Sequence, residues 1–138
     1  NISRELKKSN FDNLFNDIEQ MKQYAKTYNN EYFQVKTHMM IADEFIAYSK
    51  DLDNQFVIDF KTKAIQALKE AEIYILNNKQ NPRYFEYFIP MGYYYLELLD
   101  DKSKANEYLD LFQDKKISIE QYAQWQRFYY DSILKAFQ

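Results

Sequence analysis

His38 is the only imidazole in the chain, and there is no cysteine. Thiolate nucleophiles, disulfides and cysteine-based zinc sites are therefore excluded at the outset. A lone imidazole needs partners before it can act as a base or a ligand. Three residues before His38 stands Val35 rather than Glu, so the Glu-x-x-His unit of a di-iron bundle is missing. The His-Glu-x-x-His motif is missing too. Val35, Ala42 and Phe45 accompany His38 on its predicted helix, which assigns it to a packed or half-exposed structural position. Acidic pairs are the other route to acid–base chemistry. Asp43-Glu44 and Glu70/Glu72 fall at adjacent or alternate helix positions, so each pair diverges and reads as a solvated face. With Gly92 as the only glycine, no phosphate-cradling loop can form. The expectation is a non-catalytic chain with no metal site and no cofactor.

Aromatic residues carry the one hint of function. Fourteen tyrosines and eleven phenylalanines stand in 138 residues, and they crowd most densely between Tyr84 and Tyr95. Phe85, Phe88 and Tyr95 fit a core stripe. Neighbouring residues on a helix cannot all face inward, so some of Tyr84, Tyr87, Tyr93 and Tyr94 are expected at an outer surface. An exposed tyrosine there would suit binding, being apolar over most of its area with one polar end. The formal net charge of −3, with signs interspersed, gives no electrostatic footprint for nucleic acid. Lys7-Lys8 and Lys115-Lys116 read as solvated helix flanks. The longest apolar run, Phe88 to Leu96, is less than half a membrane span and contains Pro90, so no transmembrane segment is expected. No signal peptide is visible, and a start at Asn1 rather than Met suggests a processed protein or an excised fragment. The compartment stays open, with the cytoplasm favoured, and so does the oligomeric state.

Six helices joined by short polar turns must position these residues, within a single domain covering 1–138. The first, about 10–28, places Phe11, Leu14, Phe15, Ile18, Met21, Ala25 and Tyr28 on one face. Ser9 or Asn10 would cap it, and Asn29-Asn30 would end it. The second, about 31–49, carries Tyr32, Val35, Met39, Ala42, Phe45 and Ile46. The segment Asp51-Leu52-Asp53-Asn54 breaks the pattern. The third, about 54–77, has the stripe Phe56, Phe60, Ala64, Leu68, Ala71 and Ile75. The fourth, about 82–99, opens on Asn81 as cap and Pro82 at its first position. It continues through Pro90, which would kink it and deprive the Glu86 carbonyl of a partner. The fifth spans about 101–113. Ser118-Ile119-Glu120-Gln121 reads as a capping box for the sixth, with Ile117 and Tyr122 placed as a hydrophobic staple. Tyr122, Trp125, Tyr129 and Ile133 would share one side of that last helix.

Within the fourth and fifth helices stands Phe88-x-x-Met91-Gly92-x-x-Tyr95, followed by Ala105, Leu109 and Phe112. This set resembles one tetratricopeptide repeat, with Phe88 in place of Trp, Met91 in place of Leu, and Gly92 and Tyr95 at the family's positions. Ala64, Leu68 and Ala71 resemble the second helix of a degenerate earlier copy. The resemblance implies an all-α array of antiparallel helix pairs, a tetratricopeptide-like superhelix. In it Gly92 would be a point of close helix contact, where Leu overpacks and Ala is tolerated. It also implies non-catalytic binding of a peptide or protein segment in a groove lined by first helices. Carried over to this chain, Glu86, Ile89, Tyr93, Leu96 and Glu97 would face that groove. Alternatives are a peptide-sensing fragment of a larger transcriptional regulator and the mature part of an exported lipoprotein or assembly factor.

Overall fold

The computed structural model describes residues 12, 13, 16, 17, 19–24, 26, 27, 30–48 and 54–138, with side chains at all of these except 45–48 and 54–57. The readings for Lys7-Lys8, for Ser9 and Asn10, and for Phe11, Leu14, Phe15, Ile18, Ala25, Tyr28 and Asn29 lie outside the described residues. So do those for 51–53 and for the side chains of Phe45, Ile46 and Phe56. The fold is all-α, with no strand among the described residues. The chain divides into two compact units, Asn1–Ala71 and Glu72–Gln138.

In the first unit the described residues between 12 and 27 are helical (α1). Helix α2 follows at Glu31–Tyr48. Its start is set by Asn30, whose side chain accepts from the Phe33 N–H at 3.1 Å, satisfying one of the orphan donors of a helix N-terminus. Thus Asn30 opens the second helix. Helix α3 runs Asn54–Asn77 and gives its residues up to Ala71 to this unit. Val35, Met39 and Ala42 of α2 are buried, as are Phe60, Ala64, Leu68 and Ala71 of α3. The period-3.6 stripes of the sequence are therefore the core-facing stripes.

The second unit begins with the last turns of α3, where Ile75 is buried. Asn81 then caps a 3₁₀ segment, Pro82–Tyr87, by accepting from the Arg83 N–H at 3.1 Å. The α-helix proper, α4, spans only Phe88–Leu99. This corrects the single kinked helix expected from 82 to 99. Pro90 falls in the first turn of α4, where a missing N–H costs no intrahelical bond, so no kink is needed. The Glu86 carbonyl does lack a backbone donor from residue 90, and the structure shows what replaces it. Gln126 Nε2 donates to Glu86 O at 2.9 Å, and Gln126 is buried.

Asp100, left-handed at φ 49°, ends α4, and Asp101 caps α5 (Lys102–Asp114) by accepting from the Lys104 N–H at 3.0 Å. Ser118 Oγ accepts from the Glu120 N–H, but this opens a 3₁₀ turn, Ile119–Gln121, not a helix. Helix α6 starts later, at Gln124, and ends at Ala136. Tyr122 consequently lies outside α6 in extended backbone, its ring 5.9 Å from Phe112. Helix α4 packs against both α5 and α6. It is antiparallel to α5, since Lys115 Nζ sits 4.9 Å above the Phe85 ring while Tyr95 stacks on Tyr108 near the other end. Lys115 is half-buried and also donates to Gln80 Oε1 at 3.1 Å, while Lys116 is exposed. Helix α6 runs parallel to α4, with Gln126 beside Glu86 and Tyr129 beside Tyr93.

The Gln126 bond is testable. Gln126→Met keeps the volume and removes the donor to the part-buried Glu86 carbonyl. We expect it to cost about 1–3 kcal/mol in urea unfolding. A Met variant as stable as the parent would show that the Glu86 carbonyl is otherwise satisfied.

Candidate functional site

The fate of the tyrosine run decides where a site can be. Tyr84, Tyr87, Tyr93 and Tyr94 are all buried, which corrects the expectation that some would reach the surface. The reason is the placement of α4 and the 3₁₀ segment before it. With α5 and α6 both packed on α4, a residue facing away from one neighbour meets the other. Tyr93 lies flat on Tyr129, with ring centroids 3.9 Å apart and planes at 6°. Tyr94 meets Tyr129 edge-on at 5.7 Å. Tyr84 and Tyr87 pair edge-to-face at 6.1 Å.

The five residues expected to line a groove are accordingly divided. Ile89 and Tyr93 are buried, Glu86 and Leu96 half-buried, and Glu97 exposed. Ile89 and Tyr93 do not face an open groove, and Tyr93 stands under α6, whose Tyr129 covers its ring. Glu97 remains at the surface one helical turn beyond Tyr93.

Helix α6 itself supplies what sequence reasoning missed. Trp125 and Phe128 are 51% and 61% exposed, large apolar side chains three residues apart on one helical face. Tyr129 joins them, half-buried, with Trp125 edge-on at 5.4 Å and Phe128 at 6.2 Å. Phe128 also meets Tyr93 at 6.3 Å. The result is a ledge of two exposed rings seated on the Tyr93–Tyr129 stack. Such rings offer large contact area with few rotatable bonds to immobilise. The sequence placed Trp125 on one side of the helix with Tyr122, Tyr129 and Ile133. The structure buries Ile133 of that set together with Gln126, two turns apart, and leaves Trp125 exposed. The signal that could have found the buried Gln126 is Pro90, which has no N–H to offer the Glu86 carbonyl.

Two polar clusters could bear chemistry. Glu70 and Glu72 diverge as expected, but Glu72 is not a solvated carboxylate. It accepts from the hydroxyls of Tyr95 (2.9 Å) and Tyr108, and its Oε2 lies 3.3 Å from Lys104 Nζ. Burial first, then the bond to Glu72, pushes both phenols above their usual range. In the first unit His38 is buried, with Nε2 3.1 Å from Glu70 Oε2. Glu44 is half-buried, and burial followed by the charge of Asp43 raises its carboxyl. Among the described residues no three His, Asp or Glu side chains gather as metal ligands. Nor is any described helix long and apolar enough to cross a membrane.

No protein-family model, curated protein or solved structure matches the chain. Its class is therefore given by its own geometry, an all-α protein whose C-terminal unit carries an exposed aromatic ledge on α6.

Proposed function

We propose that the protein is a non-catalytic binding module that holds a peptide or protein segment on a helical-repeat scaffold of the tetratricopeptide kind. The exposed Trp125–Phe128 ledge carries this reading. Two large rings left in water beside a fixed ring stack cost hydration free energy that a partner would recover. The scaffold is compatible with it. Phe88, Met91, Gly92, Tyr95, Ala105, Leu109 and Phe112, the residues of the repeat pattern, are all buried. Helices α4 and α5 form an antiparallel pair, and α6 follows parallel to α4 as the first helix of a next pair would. The binding surface then moves from Ile89 and Tyr93 to Trp125 and Phe128.

Trp125 is the only tryptophan, so its emission reports on the ledge directly. Peptides selected on the immobilised protein from a random phage library should shift that emission. The double variant Trp125→Ala, Phe128→Ala should weaken them at least tenfold, as loss of anchoring rings does. Because both rings are exposed, the melting temperature should not fall. Selected peptides that bind the double variant as well as the parent would move the site elsewhere.

A further inference from the structure

His38 on α2 is the one imidazole of the chain and lies buried inside the N-terminal unit. Its two nitrogens are in unlike situations. Nε2 faces Glu70 Oε2 on α3 at 3.1 Å, and this carboxylate is half in water. Nδ1 is buried and has no hydrogen-bond partner among the described residues. With Nε2–H donating to Glu70, Nδ1 carries only a lone pair, and the neutral ring fits its surroundings. A second proton would have to go on Nδ1. That would create a buried N–H with no acceptor and a buried charge, the two situations protein interiors avoid most strongly.

The charges facing the ring do not reverse this. Glu70 on α3 and Glu19 on α1 favour the imidazolium, while Lys22 and Lys26 on α1 oppose it. Lys22 Nζ is already drawn to both carboxylates, 3.7 Å from Glu19 and 3.9 Å from Glu70. Glu70 is therefore shared between Lys22 and the ring. Burial outweighs the attraction of Glu70 and holds the ring's affinity for a proton below its ordinary value.

We propose that His38 is an acid-sensitive latch in the N-terminal unit, holding α2 to α3 through Glu70 while neutral and releasing α2 once its ring is doubly protonated. The direction follows from linkage. The unfolded or opened chain binds the proton near pH 6.5, whereas the closed unit binds it only at lower pH. The latch contributes fully above about pH 6.5 and is lost as pH falls from there towards the closed-state value. Between those limits each pH unit favours the open form by up to about tenfold.

Because the chain has one histidine, its Cε1–H resonance can be followed in the intact wild-type protein without assignment. We expect its titration midpoint below 6.5. The protection of α2 amides, corrected for intrinsic exchange, should fall between about pH 7 and about pH 5.5 by several-fold more than that of α4 and α5. In His38→Gln, which can still donate to Glu70 but does not titrate, that differential should vanish. A midpoint at or above 6.5 would overturn the latch. So would a His38→Gln protein whose α2 exchange keeps the wild-type pH dependence. If the Gln variant does not fold, the resonance and the α2 exchange profile of the wild type decide the matter alone.

Discussion

Replacing Glu72 with leucine is expected to destabilise the C-terminal unit by about 3–5 kcal/mol, the range for breaking a buried charged network by removing one partner. Glu72 accepts from three donors: the Tyr95 hydroxyl, the Tyr108 hydroxyl and the Lys104 ammonium. Tyr108 is fully buried and Tyr95 nearly so. Their hydroxyls cannot turn to water when the carboxylate goes, and each orphaned group costs about 1–3 kcal/mol. Lys104 matters less. Its side chain is about a third exposed and also lies 3.7 Å from Glu107, so solvent screens its share. The origin of the loss can be tested by removing the orphans. Glu72→Leu with Tyr95→Phe and Tyr108→Phe should recover most of the stability in urea unfolding, because an apolar cluster leaves nothing unpaired. A triple variant no better than Glu72→Leu would mean that the carboxylate acts through something other than these hydroxyls. Alkaline titration gives a second readout. Both phenols are raised in the folded state, so their contribution is complete below about pH 10 and declines as pH rises beyond it. The Tyr95→Phe, Tyr108→Phe protein should lose less stability above about pH 10 than the wild type.

What the sequence revealed and what it hid follow one physical division. Helical stripes are written in residue types, so the α3 stripe was readable from Phe60 onward, and its Phe60, Ala64, Leu68, Ala71 and Ile75 are all buried. Caps were readable where a short polar side chain meets its own backbone, as at Asn81. Ser118 shows the limit. Its hydroxyl forms the local bond, but the same bond serves a 3₁₀ turn as well as an α-helix. Long-range polar partners were not legible at all. Nothing near Glu72 in the chain announces Tyr95 and Tyr108, and nothing near Gln126 announces Glu86. The expectation that Ile89 and Tyr93 face outward failed for a related reason. Which side of α4 is open depends on where α6 lies, and Gln126 rather than Trp125 sets the rotation of α6. A one-helix reading could place Tyr93 on a face but could not know that Tyr129 covers that face.

Gly92→Leu is expected to cost about 3 kcal/mol or more, at or beyond the upper end of ordinary overpacking, and Gly92→Ala to destabilise rather than stabilise. The sequence alone suggested that Ala would be tolerated, since it gains about 1 kcal/mol of helix propensity over Gly. The structure changes that expectation because Gly92 is squeezed from two sides. A Cβ there would lie 3.3 Å from the Ala105 carbonyl oxygen and 3.3 Å from Tyr108 Cβ, both on α5. It would also lie 3.2 Å from Ile133 Cδ1 on α6. The Ile133 methyl is the end of a flexible side chain and can turn away. A backbone oxygen and a Cβ can yield only if α5 itself shifts, and α5 is tied down by Tyr108 at Glu72. Overpacking of about 1–3 kcal/mol therefore exceeds the propensity gain, leaving a net loss of about 1 kcal/mol for Ala. Leucine adds three further carbons to the same gap. Thermal melts of both variants, with Ile133→Val alone and combined with Gly92→Ala, separate the two sides of the contact. Removing Cδ1 should relieve only part of the Ala penalty, because the α5 side stays closed. A Gly92→Ala protein that melts above the parent would show that α5 gives way, and the close approach of α4 to α5 would then not be what requires glycine.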